Sequence, residues 1–383
     1  MDLIERFLTT FDHEEPDRVP SFVQGVMPGF MDQWLAKYEE SIEDEDVVLT
    51  PVKDVTLHVH LGFDSSWCGV AGPKVTVSED ARMACERANE ALSPEQRVAG
   101  YHVTQAGTLR KTTILPNGRP HSWMVEGTLT TREAWESFYD GYHVGDPPAN
   151  AVDLLDKSLE AALAKGHLLV PSVGLLVEAL LASVGVLGIA KFSRRDPSFF
   201  RRVCATIAEV SVKKMKVVAD SKAPLVVIPD DCAFKGRPIM SPHAYEEFVL
   251  PHLKEVVRIV HAAGKKVFLH SDGYVEPYYP LFDKAGLDGH QSLEPAAGMD
   301  LAALKEKWGD RFVLIGNLDC SRLLPLGSPG EVVAATRECL KVGAPGGGYV
   351  FSPCTDLTDA CKLSNVEAMM AAFKKYGKYP VRA

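Results

Sequence analysis

The sequence predicts an α/β protein built as a (β/α)₈ TIM barrel. Eight short apolar segments with the character of buried parallel strands occur along the chain, and helical patterns separate most of them. Neither GxGxxG nor GxxxxGK[ST] is present, which disfavours the alternative of an open, doubly wound nucleotide-binding sheet. The 383 residues suffice for one barrel-sized domain. We therefore expect a single domain over residues 1–383.

The eight predicted strands are short apolar runs, and each carries a polar residue at or near its end. They cover residues 18–25, 60–67, 167–173, 224–231, 266–272, 289–295, 312–319 and 348–354.

The clearest predicted helix covers residues 243–263. Ser241 followed by Pro242 is typical of a helix start, and Gly264 is typical of a helix end. Apolar side chains recur at helical spacing, at Val249, Leu253, Val256, Val257 and Val260.

Residues 69–150 interrupt the alternation of strands and helices. We predict an insertion after the second strand, with a helix near 80–92 and a small antiparallel sheet whose hairpin turn is Asn117-Gly118. Such an insertion would lie over the carboxyl-terminal mouth of the barrel and act as a lid.

Composition narrows the classes of function. Net charge is −10 and the pI is about 5.7, which argues against a nucleic-acid or anionic-membrane surface. Residues 168–190 are apolar but contain Pro171 and Glu178, so we expect a strand, a loop and a helix rather than a membrane span. The acidic N-terminus and eight scattered cysteines predict a cytoplasmic protein with reduced thiols.

Polar side chains stand at the end of every predicted strand, and in a barrel these ends converge on one mouth. The candidates are Gln24, Asp64, Asp230, Asp231, His270, Asp272, Gln291, Glu294, Asn317, Asp319 and Cys354.

The sharpest set is His270, Asp272 and Cys354. Residues two apart on a strand share a face, so the imidazole and the carboxylate can reach one ion, and Cys354 would reach across the mouth. Nitrogen, oxygen and thiolate ligands with a fourth open position form a zinc-competent set. The alternative is structural: His270 as a core histidine, Asp272 as a helix cap and Cys354 as a small buried hydrophobe.

The carboxyl groups are the candidate acid–base groups. Of Asp230 and Asp231, one should face the mouth as general acid, substrate anchor or ligand, and the other should form a cap or pair with Lys235 or Arg237. Asp64 and Glu294 complete the candidate catalytic residues. A structural role is equally open for the aspartates.

The amide side chains are the candidate substrate contacts: Gln24, Gln291 and Asn317. His58 and His60 are predicted to share a strand face, with a surface or packing role.

Several ordered stretches resemble the uroporphyrinogen decarboxylase superfamily, and within it the cobalamin-dependent methyltransferases. They include "DDCAFKGRPIMSPHAYEEFVLPHLKEVV", "KVFLHSDG", "LEPAAGMDLAALKEKWGDRFVLIGNLD" and "APGGGYVFSPC". The resemblance covers nearly all of the chain and implies a (β/α)₈ barrel with its site at the carboxyl-terminal mouth.

Two departures from the family pattern bear on function. Uroporphyrinogen decarboxylases carry an arginine-bearing motif near the N-terminus, whereas "SFVQGVMPGF" has no arginine to bind a polycarboxylate. The zinc methyltransferases of the family use His-x-Cys and a later cysteine. Here His270 and Cys354 match, and Asp272 replaces the first cysteine. A carboxylate makes a harder site, suited to an ether oxygen.

The resemblance therefore implies a zinc-assisted methyltransferase of the O-demethylase type, acting on a small methoxylated substrate, with aromatic compounds as the favoured class. Glu294 would be a further ligand and Asp230 or Asp231 the proton donor. The acceptor would be cobalamin on a separate corrinoid protein, because "DGHQSL" (288–293) lacks the glycine of the DxHxxG cobalamin motif. Three alternatives stay open: a thiol or tetrahydrofolate acceptor, a metal-free decarboxylase, and a non-catalytic binding partner. The oligomeric state is also open, with a homodimer as one alternative.

Overall fold

The computed structural model describes residues 1–38, 46–104, 106–115 and 118–382. Its strands, in chain order, are Phe22–Val23 (β1), Ser65–Cys68 (β2), Val75–Thr76 (β3), Tyr101–Val103 (β4), Thr108–Ile114 (β5), Pro120–Gly127 (β6), His143–Val144 (β7), Leu168–Pro171 (β8), Leu225–Pro229 (β9), Ala233–Phe234 (β10), Arg237–Pro238 (β11), Lys266–His270 (β12), Gly289–Ser292 (β13), Val313–Leu318 (β14) and Tyr349–Pro353 (β15).

The helices of the described residues are Leu3–Phe11 (α1), Pro28–Tyr38 (α2), Val52–Leu61 (α3), Glu79–Glu90 (α4), Pro94–Val98 (α5), Arg132–Tyr139 (α6), Ala151–Ala164 (α7), Val177–Ser183 (α8), Gly185–Arg195 (α9), Pro197–Asp220 (α10), Pro242–Phe248 (α11), Leu250–Ala262 (α12), Tyr279–Ala285 (α13), Leu301–Trp308 (α14), Leu323–Leu326 (α15), Pro329–Gly343 (α16) and Leu363–Tyr376 (α17).

Parallel strands form the centre of the molecule. One sheet has the order β1-β2-β8 and the other the order β15-β14-β13-β12-β9. Isolated parallel bridges connect their edges, Ser21 to Phe351 and Ser172 to Val227. Each of the eight predicted strands is represented in these two sheets. The predicted α/β class is thus confirmed, and the arrangement is TIM-barrel-like.

The central strands are buried on both faces. Along β9, Leu225 and Val227 belong to one apolar cluster, and Val226 and Ile228 belong to another. Strands buried on both sides need apolar residues at consecutive positions, which is why these segments are continuous apolar runs. Helix α1 contributes Phe7 and Phe11 to the first cluster, and Asp12 pairs with Lys266 at the start of β12. The helix therefore covers the amino-terminal end of the strands, opposite the predicted mouth.

The predicted helix over 243–263 is two helices. Ser241 caps α11, accepting a hydrogen bond from the Ala244 N–H at 3.2 Å. The helix is interrupted at Val249, and α12 begins just beyond it with Pro251 in its first turn. Proline has no N–H and its ring crowds the preceding turn, so a single continuous helix is disfavoured here. The predicted end is correct, since Gly264 adopts a φ of 71°.

The predicted strand over 60–67 begins too early. Helix α3 continues to Leu61 and ends at Gly62, whose φ is 94°. His58 and His60 are therefore on a helix and not on one strand face. Residues two apart on a helix point in different directions, so His58 is buried whereas His60 is exposed. Asp64 precedes β2 and lies at its amino-terminal end.

Residues 69–150 contain antiparallel strand pairing between parallel strands β2 and β8. Strands β4, β5 and β6 form a three-stranded antiparallel sheet, and β3 pairs with β7. The helix predicted near 80–92 is α4. Asn117 of the predicted turn lies outside the described residues, and Gly118 has a φ of 80°. The apolar stretch 168–190 folds as β8, a loop, α8 and the start of α9. Within the described residues, no helix has the length and apolarity needed to cross a membrane.

Candidate metal centre and its surroundings

Three potential metal ligands come together at the carboxyl-terminal ends of β9 and β12. They are Asp231, His270 and Asp272, and one ligand atom of each lies within 4.8 Å of the other two. Parallel pairing of the strands sets His270 beside Pro229, and the Asp230 N–H donates to the His270 carbonyl at 3.0 Å. The distance from His270 Nε2 to Asp231 Oδ1 is 3.7 Å.

Gln291 on β13 controls the imidazole of His270. Pairing of β12 with β13 places the two residues side by side, and His270 Nδ1 is hydrogen-bonded to Gln291 Oε1. The other amide atom, Nε2, donates to the Cys354 carbonyl at 3.4 Å, so the oxygen must face the ring. Nδ1 is therefore the nitrogen that donates to Gln291, and Nε2 is the nitrogen that faces Asp231.

The two carboxylates are also oriented by hydrogen bonds. Ser292 Oγ donates to Asp272 Oδ1 at 2.6 Å, and the Asp272 N–H donates to Asp231 Oδ1 at 2.8 Å. Burial raises the pKa of Asp272, while the neighbouring His270 opposes that shift. A bound cation would stabilise the charged form of this buried carboxylate.

Cys354 does not belong to this group. It follows β15 directly, and its Sγ accepts a hydrogen bond from the Cys320 N–H at 3.5 Å. Among the residues that the structure describes, no set of three candidate ligand atoms includes that sulfur. The geometry thus places Asp231, and not Cys354, beside His270 and Asp272.

The geometry fits a small metal ion. Zinc binds nitrogen and oxygen at about 2.0–2.2 Å, which places neighbouring ligand atoms about 3.5 Å apart in a tetrahedral site. The separation of 3.7 Å between His270 Nε2 and Asp231 Oδ1 is close to that value. Nitrogen and oxygen donors without sulfur form a hard ligand set.

Asp230 points away from Asp231. Its Oδ1 accepts the N–H groups of Leu176 and Glu178, each at 3.1 Å. In the described part of the chain Oδ2 has no hydrogen-bond partner, and burial raises the pKa of Asp230 to about 7. A carboxyl group in this state can hold a proton near neutral pH.

Glu294 is buried beside the mouth and forms an ion pair with Lys235 at 2.9 Å. Its second oxygen accepts the Gly273 N–H at 3.3 Å. One of the adjacent aspartates was predicted to form a cap or to pair with Lys235 or Arg237, and Asp230 forms the cap, at the start of α8. Lys235 is not its partner. It reaches Glu294 from the β10–β11 hairpin instead.

Three other predicted residues lie elsewhere. Asn317 holds the loop after β13, since its Nδ2 donates to the carbonyls of Leu293 and Met299. Gln24 Oε1 is 3.5 Å from Thr355 Oγ1. Asp64 was expected at the mouth, and that position is wrong. It lies at the opposite end of β2.

Asp64 forms a structural network at that end. Both of its oxygens contact the guanidinium of Arg18, and Oδ2 accepts the Ser21 N–H at 2.8 Å. The misplacement follows from the strand boundary: the predicted strand over 60–67 contains Asp64, whereas β2 begins at Ser65.

Two further carboxyl groups near the cluster were not among the predicted residues. Glu178 is in the first turn of α8, and Asp356 follows β15. Burial raises the pKa of both side chains; Asp231 adds to the shift at Glu178, and His270 opposes the shift at Asp356. Asp356 lies only two residues beyond Cys354, so its position just after a predicted strand is a signal that the sequence contains. Glu178 begins a helix, and no strand-end pattern points to it.

A cavity of about 400 Å³ lies at the carboxyl-terminal ends of β1, β2 and β8, and the three cluster residues are not part of its wall. Gln24, His58, Trp67 and Asp356 contribute to its wall. The Trp67 ring meets the His270 ring edge-on at 5.4 Å, so it stands between the cavity and the cluster. The cavity has the size of a small-molecule site.

Comparison with known proteins identifies relatives of two kinds. The family model for uroporphyrinogen decarboxylase (URO-D) matches residues 175–376, just over half of the chain. Methylcobamide:CoM methyltransferase MtbA of Methanosarcina acetivorans is 23% identical over 169 residues, which is 44% of this chain and 47% of that protein. Methylated-thiol–coenzyme M methyltransferase of Methanosarcina mazei is 23% identical over 194 residues, 50% of this chain and 48% of that protein.

A third relative is a decarboxylase. Uroporphyrinogen decarboxylase of Dichelobacter nodosus is 31% identical over 137 residues, 34% of this chain and 35% of that protein. The chain thus spans about half the length of these curated relatives, or less. Among solved structures, a methyltransferase from Methanosarcina mazei aligns with 98% of this chain and 99% of its own, with a TM-score of 0.63 and 17% identity. That similarity supports the fold.

Proposed function

The chain belongs to the uroporphyrinogen decarboxylase family, and from this we propose that it is a methyltransferase that passes a methyl group from a small donor to the cobalt of a corrinoid on a separate protein. Two curated relatives are methyltransferases by name. The observation that carries the proposal is the cluster of Asp231, His270 and Asp272 at the strand ends.

We assign the metal to these three residues, with Asp231 in the place first given to Cys354. When bound, zinc would supply a Lewis acid that polarises the oxygen of a methyl ether. Gln291 keeps the lone pair of His270 Nε2 available, and Ser292 fixes the Asp272 carboxylate.

The proton for the leaving oxygen would come from a nearby carboxyl group. A phenolate leaves readily only when its developing charge is neutralised. Asp230, with a pKa raised to about 7, can hold a proton at neutral pH. Glu178 interacts electrostatically with both Asp230 and Asp231, and each like charge favours a protonated carboxyl group.

A methoxylated aromatic compound is the donor class we favour, because hard nitrogen and oxygen ligands suit an ether oxygen better than a sulfur atom. We also propose that the eight parallel strands close as a (β/α)₈ barrel within one domain. Residues 69–150 would then form the lid that keeps water from the reaction.

Two other enzymatic functions have specific support. A methylated thiol is the second candidate donor, because one relative carries that substrate in its name. Decarboxylation without metal is the third, because another relative is a uroporphyrinogen decarboxylase. Against it, "SFVQGVMPGF" has no arginine, and the surroundings of His270 are rich in carboxylates.

Metal content and methyl transfer together test the proposal. We expect about one zinc per chain in the purified protein, strongly reduced in His270→Ala, Asp231→Asn and Asp272→Asn but retained in Cys354→Ser. Asp310→Asn is the matched control, because Asp310 is an exposed carboxylate between α14 and β14 and is not part of the cluster. Formation of methylcobalamin from cob(I)alamin and a methoxyarene, followed by absorbance, reports the activity.

The possible outcomes are distinct. Loss of zinc in Cys354→Ser but not in Asp231→Asn would show that Cys354 is a ligand, and it would contradict the assignment of Asp231. A protein that neither holds zinc nor can be loaded with it would contradict the metal-assisted mechanism. Carbon dioxide release from a carboxylated substrate without metal would favour the decarboxylase.

A further inference from the structure

We propose that the cavity next to Trp67 selects the methyl donor, accepting a neutral ring that carries a hydroxyl group and rejecting a carboxylated one. This inference rests on the proposed function and makes its substrate class specific. The cavity is defined by Gln24, His58, Trp67, Ser172 and Asp356 together with the chain segments around them.

The position of the cavity fits the ring of a donor. Trp67 lines it and also contacts the His270 ring at 5.4 Å. Asp356 lines it as well, and its carboxyl group interacts electrostatically with His270 and Asp272. A donor with its methoxy group at the cluster would therefore extend its ring along Trp67 into this space. A volume of about 400 Å³ exceeds what a substituted benzene ring requires.

His58 is the feature that points to a ligand. It is only 2% exposed, it lines the cavity, and within the described residues neither ring nitrogen has a hydrogen-bond partner. A buried polar atom without a partner destabilises the folded protein. Its pKa lies well below the usual value because of burial, so the ring is neutral. A neutral imidazole offers one donor and one acceptor, and a hydroxyl group needs the same two partners.

The charge of the wall decides against an anionic donor. Asp356 lines the cavity, and no lysine or arginine lies among the described residues of its wall. Lys235, an exposed cation outside this wall, is already paired with Glu294 at 2.9 Å. A donor carboxylate that entered the cavity would lose its hydration and lie beside the Asp356 carboxyl group, without a cationic partner.

Three donors that share one methoxybenzene skeleton test the inference. They are 2-methoxyphenol, which is neutral and has a hydroxyl group, methoxybenzene, which lacks it, and 2-methoxybenzoate, which is an anion. We expect kcat/KM for 2-methoxyphenol to exceed that for methoxybenzene by about ten-fold, the value of one hydrogen bond to a buried partner. The benzoate should be the poorest of the three.

His58→Leu should lower kcat/KM for 2-methoxyphenol by about ten-fold and so abolish its preference over methoxybenzene. His60→Leu is the matched control, because His60 is on the same helix, is exposed and does not line the cavity. Asp356→Asn should narrow the gap between 2-methoxyphenol and 2-methoxybenzoate, with zinc content measured to confirm an intact cluster. The comparison of donors on the unmodified protein remains decisive if a variant fails to fold.

Binding without turnover separates this inference from the proposed function. Calorimetric titration with 1,2-dihydroxybenzene and with benzoate should show binding of the former only, weakened in His58→Leu. If that pattern holds but no donor is demethylated, the cavity assignment stands and the proposed function fails. If the benzoate binds as well as the diol, or if His58→Leu leaves both preferences intact, the inference is overturned.

Discussion

At the scale of single residues, the chemistry of the candidate centre depends on which nitrogen of His270 is free. The pairing of β12 with β13 sets Gln291 beside His270, and the Cys354 carbonyl fixes the direction of the amide. The spacing of His270 and Asp272 made the candidate pair predictable from sequence. Gln291 was predicted as a substrate contact, and its bond to His270 depends on register between two strands that sequence alone does not show.

Replacement of Gln291 tests this orientation. We expect Gln291→Leu to weaken zinc binding by about 10–100-fold, because His270 loses the acceptor that holds Nδ1–H. Gln291→Glu keeps an oxygen at the same place and should retain most of the affinity. Competition with a chelator of known zinc affinity measures the difference. Equal affinities in the leucine variant and the unmodified protein would show that Gln291 does not orient the ligand.

At the scale of elements, the small antiparallel sheet packs closely against helices α8 and α9 at Gly127. A Cβ added to Gly127 at the end of β6 would lie 2.5 Å from backbone atoms of Ser183 and Gly185, between α8 and α9. The Leu129 N–H also donates to the Ser183 carbonyl at 2.9 Å. Backbone atoms cannot move aside as a side chain can, so only glycine fits this position.

Gly127→Ala should therefore loosen the inserted segment from α8. We expect a loss of about 1–3 kcal/mol in unfolding free energy and faster proteolytic cleavage within residues 69–150. Gly330→Ala is the control, because its added Cβ would approach only Ser328 Oγ, at 4.0 Å. Limited proteolysis followed by mass spectrometry locates the cuts. An unchanged digestion pattern in Gly127→Ala would mean that this contact does not hold the segment.

Element prediction succeeded where burial leaves a strong pattern and failed at boundaries. The parallel strands were predictable because both of their faces are buried and their apolar runs are continuous. The boundary errors have local causes. Pro251 interrupts a periodicity that otherwise continues through 243–263, and α3 extends to Gly62 with the polar residues of a half-exposed helix. Because of the second error, Asp64 was predicted at the wrong end of β2, and His58 was predicted on a strand instead of on the buried face of α3.

At the scale of the whole molecule, the free energy of unfolding depends on pH through buried groups whose protonation has opposite effects on stability. His167 is buried between Ser66 and the Phe63 carbonyl, and burial lowers its pKa to about 4. Below pH 6.5 the unfolded chain binds this proton before the folded chain does, so acidification toward pH 4 removes stability. Asp230 acts in the other direction: with a pKa raised to about 7, its protonation on acidification favours the folded state. The net slope therefore does not report either group alone.

A variant isolates the histidine contribution. His167→Gln offers a donor and an acceptor near the same partners but does not titrate, so we expect the stability difference between it and the unmodified protein to shrink by about 2 kcal/mol between pH 7.5 and pH 5. Asp230 is present in both proteins and its effect cancels. Urea unfolding at the two pH values measures the difference, and His243→Gln, at a side chain that is 88% exposed, is the control. If the difference is the same at both pH values, His167 is not the buried neutral group that penalises folding in acid.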